Sequence, residues 1–480
     1  MAKGLAEYES GWTGDHERLL MHSAEQAVAF RRELPSRLQR TERDYAAMRD
    51  AFRAPLPESG TDSISVIDEL VRLSQPGLSA MAGPRFFGWV IGGSLPVGVA
   101  ADWLTSAWGQ NAGSHTPTPA AAACEEVAAA WLLELLDLPR ESSVGFATGA
   151  TMANFTCLAA ARTRLLQELG WDVESRGLFG APEIRVLIGD DAHSSAVAAL
   201  QLLGLGSERV VRVPTDRMGR MSAEHVARAL RSATSPTIVL TQAGQVNTGA
   251  IDPIGEIAAS ARETSAWIHV DGAFGLWARA CPETRRYVEG VEKADSWASD
   301  GHKWLQTPYD CGYAIVRDTQ AHRRAMTNTA SYLPTVAEGE RDPSHLVPEL
   351  SRRARGFATW AVIRALGREG IAELIARSCG IARQMARRLA QEPGIGVMND
   401  VILNQVAIRF GVDRPTGAGD ALTRRVIEQV QADGICFAAG AKWKGHWIMR
   451  LSISSWATTE NDADRSVAAI IDAWRAVQAS

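Results

Sequence analysis

The chain has 480 residues, 46% apolar and 22% charged, with a formal net charge of −5; that length fits two or three domains of ordinary globular composition. Scattered Arg and Lys leave no electrostatic footprint for nucleic acid, and no apolar run reaches the ~18 residues of a membrane span. Residues 1–15 hold no signal-peptide core, so a soluble, cytoplasmic protein is expected.

Residues 16–52 read as one Arg/Glu-rich helix that stops before Pro55 and Pro57. It is either a solvated arm or, in an obligate dimer, a clasp on the partner. A second helix is predicted over 62–74. The stretch PRFFGWVIGGSLPVG (84–98) mixes Gly, Pro and aromatics, which suits neither a helix nor an unbroken strand. Loops of that kind line sites or pack between helices.

From about 140 to 320 short β-branched runs recur: IRVLIG (184–189), RVVRV (209–213), TIVLTQ (237–242), AWIHVD (266–271) and CGYAIV (311–316). Helical segments such as Ser194–Leu203, Ala223–Ser232 and Ile254–Glu263 separate most of them. Alternation of this kind predicts βαβ units and an α/β fold with a mostly parallel central sheet, helices on both faces. After Arg355 a long helical stretch leads to a smaller α+β unit: NQVAIRF as strand, Asp420–Ala432 as helix, WIMRLSIS as strand, and a last helix from Glu460. The expected division is an N-terminal helical segment (1–110), a large α/β domain (111–354) and a small C-terminal α+β domain (355–480). Cys124, Cys157, Cys281, Cys311, Cys379 and Cys436 lie far apart without a CxxC pair, which argues against a disulfide framework and a zinc site.

Open parallel sheets bind ligands where strand C-termini meet loops and helix N-termini, and four stretches belong at that edge. In GFATGATMANFTCLAAAR (145–162) a turn of small residues opens a helix whose Met152, Phe155, Leu158 and Ala159 should face the core. Free N–H groups there, with the Thr148 and Thr151 hydroxyls, would cradle a phosphate, although such loops are also common helix caps. In AWIHVDGAF, Asp271 ends an apolar strand and needs a cation or donor if buried; a turn-closing Asp is the plain alternative. In GDDAHSSAVAAL (189–200), His193, Ser194 and Ser195 could cap the following helix or serve a ligand. In WASDGHKWLQTPYDCG (297–312), Lys303 follows small residues, stands beside His302 and leads into Trp304 and Leu305. Its plain reading is a snorkelling lysine.

Taken singly, each stretch has an ordinary explanation. Together they supply a phosphate cradle, a carboxylate, a flat imidazole and a desolvated amine at one sheet edge. Pyridoxal 5′-phosphate (PLP) uses all four: its aldehyde takes a lysine, its ring nitrogen a carboxylate, its ring face a stacking partner and its phosphate a helix N-terminus.

These residues in this order resemble the group II PLP-dependent decarboxylases, the family of aromatic-L-amino-acid, glutamate and histidine decarboxylases, over roughly 60–475. DAHSS, WIHVDGAF and HKWL with their spacings carry the likeness. SHTPTPAAAACEEVAAAWLLELLDLP and SRRARGFATWAVIRALG resemble flanking family segments. The resemblance implies the fold-type I aminotransferase-like fold and a homodimer with active sites at the subunit interface. It implies Lys303 as the Schiff-base lysine, Asp271 as the ring-nitrogen partner, His193 stacked on the ring and Ala273 on the other face. Ala150 and Thr151 would hold the phosphate with His302 beside it, Asn247 would approach the cofactor, and Trp89 and Val90 would wall the substrate pocket. The implied reaction is decarboxylation of an L-amino acid to an amine.

Two departures stand out. The family's decarboxylases carry a tyrosine on a mobile loop, placed to return a proton after carbon dioxide leaves. Here TVAEGERDPSHLVPELSRR (335–353) has none, Tyr332 comes too early, and Ser344 or His345 would have to substitute. Loss of that tyrosine accompanies oxygen-dependent aldehyde formation in related enzymes, so an aldehyde synthase, an aminotransferase or a lyase on the same scaffold is the alternative, with a non-catalytic scaffold behind it. Asp300 stands where many relatives have asparagine near the phosphate; it should point away or bind a backbone amide.

Overall fold

The computed structural model describes residues 12–327 and 341–479. A seven-stranded sheet comprises β1 (Ser143–Ala147), β2 (Arg185–Gly189), β3 (Val211–Val213), β4 (Thr237–Gln242), β5 (Trp267–Asp271), β6 (Ser296–Asp300) and β7 (Gly312–Val316). The spatial order is β1-β7-β6-β5-β4-β2-β3. Every pairing from β3 across to β6 is parallel, and β7 alone runs against its neighbours.

The β-branched runs form strands because both faces of the sheet are covered. Successive side chains alternate between faces, so Leu187, Val239, Ile268 and Val270 enter one core while Val186, Ile188, Ile238, Leu240 and Trp267 enter the other. The helix Ala150–Glu168 lies on the second face through Ala153, Cys157, Leu158, Ala160 and Ala161; its small side chains let the helix sit close to the strands. Close approach also explains Gly312, whose added Cβ would stand 2.5 Å from the Gly149 Cα.

The second sheet is antiparallel, in order β10-β11-β9-β8, from β8 (Ile395–Val397), β9 (Gln405–Phe410), β10 (Ala439–Trp443) and β11 (His446–Ser452). Helices Gly356–Leu389, Thr416–Asp433 and Glu460–Ala479 cover it, meeting Val406, Phe410, Met449 and Leu451 through Met385, Val426 and Trp474. The two-residue hairpin turn Lys444–Gly445 has positive φ at both positions, 46° and 85°, as a right-twisted hairpin favours.

Two helix expectations need correction. Residues 16–52 are two helices, Gly14–Glu33 and Tyr45–Phe52, because Pro35 has no N–H to continue the first. The stretch after Arg355 breaks at Gly367, which takes φ 61° inside Gly356–Leu389. Among the described residues no helix is long and apolar enough to cross a membrane.

One buried ion pair ties the segment that follows residues 328–340 to the sheet. Arg352 Nη1 lies 2.7 Å from Glu125 Oε1 with both side chains 1% exposed, and Arg352 also donates to the carbonyls of Ala112 and Phe146, the latter in β1, each at 2.8 Å. Removing one partner strands a buried charge. Arg352→Met is expected to cost about 3–5 kcal/mol in urea unfolding, and adding Glu125→Leu recovers little, because it strands Arg341, whose Nη1 lies 3.9 Å from Glu125 Oε2.

Candidate active site

The C-terminal ends of β2, β4, β5 and β6 and the N-terminus of the helix Ala150–Glu168 surround a cavity of about 510 Å³, a size typical of small-molecule sites. Nine of the ten residues named above for a cofactor or substrate line it: Trp89, Val90, Ala150, Thr151, His193, Asp271, Ala273, His302 and Lys303. The tenth, Asn247, does not. Gln245 Oε1 accepts the backbone N–H of both Asn247 and Thr248, a turn that brings Val246 to the wall instead.

Lys303 sits in the turn after β6 and, among the described residues, is the one lysine on this lining. Its surroundings are less apolar than its sequence neighbours suggest. Nζ lies 2.9 Å from Asp300 Oδ2, a carboxylate 1% exposed. Asp300 Oδ1 accepts the Ala150 N–H at 2.6 Å, so Asp300 does bind a backbone amide, and it takes the N–H expected to hold a phosphate. Thr151, exposed toward the cavity, stands open beside it. His302 Nδ1 accepts the Cys311 N–H at 3.1 Å, which leaves Nε2–H facing Asp300 Oδ1 at 3.5 Å. Burial pushes the His302 pKa below its ordinary value, against the attraction of Asp300, which raises it.

Asp271 closes β5 and is 5% exposed. Its Oδ2 accepts from Asn154 Nδ2 at 3.1 Å and its Oδ1 from the Ala273 N–H at 3.2 Å. His193 caps the helix Ser194–Leu202: its Nδ1 accepts the Ser195 N–H at 3.2 Å and lies 2.7 Å from the Ser195 hydroxyl. The ring's proton therefore belongs on Nε2. Burial lowers the His193 pKa, against the attraction of Asp271, which raises it. Capping and site-lining, posed as alternatives for this histidine, coexist.

Sequence reasoning missed several lining residues, among them Arg450, Tyr309 and Ile91. Arg450 comes from β11 of the second sheet and donates to the Trp89 carbonyl at 3.2 Å; its buried Nε has no protein partner, and burial lowers its pKa to about 10. That bond braces Trp89, whose φ of 51° is unusual for a bulky residue. Tyr309 stacks on His302 with ring centroids 4.3 Å apart, its phenol pushed up to about 12 by burial and then by Asp300. Ile91 adds an apolar wall. Arg450 had a usable signal, a charge inside the apolar strand WIMRLSIS. Its hairpin also ties back to the loops after β2 and β3, where Lys444 Nζ donates to Asp191 Oδ2 at 2.5 Å and Thr215 Oγ1 at 2.7 Å.

Other expectations fall away from the cavity. Met152 lines it rather than facing the core. Ser344 and His345, the suggested proton donors, lie in the 3-10 turn Pro343–Leu346 beside a different pocket near Ser143 and Arg323. Tyr332 and residues 335–340 lie outside the described residues. Cys311, close to Lys303 in sequence, is buried against Tyr313 and Thr359, and burial raises its pKa.

Residues 46–411 match the pyridoxal-dependent decarboxylase conserved domain. The chain is 30% identical over 429 residues to the L-2,4-diaminobutyrate decarboxylase of Rhizobium meliloti (strain 1021), covering 87% of this chain and 83% of that protein. It is 26% identical over 447 residues to the phenylacetaldehyde synthase of Arabidopsis thaliana, covering 88% of each. Among solved structures, Oryza sativa TDC with PLP and tryptamine superposes with a TM-score of 0.91 at 23% identity, over 98% of this chain and 99% of that one, which gives the same fold-type I architecture. The conserved domain spans most of the chain, and the protein belongs to the pyridoxal-dependent decarboxylase family, with pyridoxal 5′-phosphate as its cofactor.

Proposed function

We propose that this enzyme decarboxylates an L-amino acid with a neutral apolar or aromatic side chain, using Lys303, Asp271, His193 and Arg450. The observation that carries the reading is the placing of Lys303 Nζ and the Asp271 carboxylate on one cavity that a helix N-terminus also lines. The donor set fits PLP: an amine, a carboxylate with each oxygen receiving one hydrogen bond, and an open Thr151 at the start of a helix. When bound, PLP supplies an aldehyde for amines and a protonated ring that takes up the electron pair of the broken Cα–carboxylate bond.

The residues supply binding, orientation and protons. Lys303 gives the amine that holds the cofactor, and Asp300 keeps that amine at the cavity by the 2.9 Å contact. Asp271 would receive the ring N–H of the cofactor. His193 and Ala273 would hold the cofactor between them and so orient the bound amino acid. Arg450 offers its unpartnered Nε and planar fork to the substrate carboxylate. Residues 335–353 hold no tyrosine to return a proton to Cα; His193 would serve there only after taking up a proton itself, because a neutral imidazole N–H is not an acid near pH 7.

The side-chain preference follows from the remaining lining. Trp89, Val90, Ile91, Phe274 and Tyr309 are apolar or aromatic, and both lining carboxylates, Asp271 and Asp300, already accept from the protein. Among the described residues no carboxylate is left for an ammonium-bearing side chain, and no second arginine for an acidic one. A homodimer is part of the reading. The N-terminal helices bury no residue fully, and Trp103, Leu104, Trp108 and Trp360 stay exposed on neighbouring helices, the kind of apolar patch that a partner covers.

A panel of amino acids followed for carbon dioxide, hydrogen peroxide and ammonia tests the outcome. Carbon dioxide without peroxide, with aromatic or aliphatic substrates preferred over diamino and acidic ones, is expected. The missing tyrosine and the resemblance to an aldehyde synthase favour one second reading, oxidative conversion to an aldehyde, which peroxide together with ammonia would identify. Turnover without carbon dioxide would rule out both.

A further inference from the structure

Behind Asp271 a line of polar groups runs through the sheet, although none of the four behind it touches the cavity. Trp267 Nε1 donates to Ser296 Oγ at 2.9 Å. Ser296 Oγ lies 2.9 Å from His269 Nδ1, His269 Nε2 lies 2.8 Å from Asn154 Oδ1, and Asn154 Nδ2 reaches Asp271 Oδ2 at 3.1 Å. Ser296, His269 and Asn154 are fully buried.

The proton positions follow from one end. An indole N–H only donates, so the Ser296 oxygen accepts it and the serine O–H turns to His269 Nδ1. The imidazole proton then lies on Nε2 and goes to Asn154 Oδ1, which aims the amide N–H at the carboxylate. Each donor points toward Asp271, an arrangement in which successive bonds polarise one another. It requires a neutral imidazole, and burial lowers the His269 pKa to about 3.

We infer that Asn154 and His269 are positioning residues that set the Asp271 carboxylate for the ring nitrogen of the cofactor. Oδ2 is held by the Asn154 amide and Oδ1 by the Ala273 N–H, so the carboxylate has one orientation in which its remaining lone pairs meet a ring N–H. The inference rests on the proposed role of Asp271. Polar residues that merely satisfied one another in the core would not be tuned to a group in the cavity.

The test compares how tightly apo-protein binds PLP and its 1-deaza analogue, whose ring has C–H in place of nitrogen. The parent should prefer PLP by roughly 100-fold. Asn154→Leu, close in shape but without a donor, should cut that preference about tenfold by weakening PLP alone. His269→Leu should do the same and serves if Asn154→Leu does not fold. His269→Gln, which can still accept from Ser296 and donate to Asn154, should restore the parental preference. An unchanged preference in the Leu variants, or equal weakening of both ligands, would overturn the inference and leave the Asp271 reading intact. A parent that binds both ligands alike would overturn the Asp271 reading itself.

Discussion

Lys303→Ala is expected to lower kcat by at least roughly 10⁴-fold and to leave the cofactor-soaked protein without the visible absorbance of a lysine imine. The size of the effect follows from position. Of the lysines among the described residues (293, 303, 442 and 444), only this one lines the cavity, so none of the others can take over the covalent bond. The variant should still fold, because Asp300 keeps the Ala150 N–H and His302 after losing the ammonium. Steady-state rates with an absorbance spectrum check this. Parental turnover in folded Lys303→Ala protein would remove the residue from the chemistry.

Asp271→Ala is expected to have the second-largest effect, through both binding and rate. A buried carboxylate paired with a cationic ring N–H is worth about 2–4 kcal/mol, so PLP affinity should fall ~30- to 1,000-fold. The surviving holoenzyme should also turn over more slowly even at saturating PLP, because the ring loses the anion that keeps its nitrogen protonated. Asp271→Asn separates the two effects. The amide keeps the shape and much of the packing against Asn154 and Ala273, and loses the charge. It should therefore recover part of the affinity and little of the rate. A PLP titration paired with kcat at saturation reads both, and an Asp271→Ala enzyme with parental values in each would show that another residue serves the ring.

Where sequence signals were local, they were legible. Five strands of the large sheet, the four parallel ones β2 to β5 and the antiparallel β7, announced themselves as β-branched runs, and DAHSS, WIHVDGAF and HKWL each put a reactive residue at the sheet's ligand-binding edge. Two strands hid because their residues are small: β1 (SVGFA) and β6 (SWASD) carry few β-branched side chains and are strands because β7 pairs between them. Groups brought in from afar were harder to read. Arg450 reaches the cavity from the second sheet, and Asn154 lies within an Ala-rich helix that looked like plain core. Asn154 owes its role to β5 and β6, which place His269 and Ser296 on the same side of the sheet. Lys303 was expected in apolar company, yet the fold supplies Asp300 three residues earlier as its ion-pair partner. Spacing alone could not reveal which way either side chain turns.

Borohydride reduction of freshly reconstituted holoenzyme, followed by peptide mapping, asks the central question most directly. The account predicts one pyridoxyl adduct, on the peptide that carries residue 303. An adduct on Lys293, Lys442 or Lys444, or none at all, would contradict it.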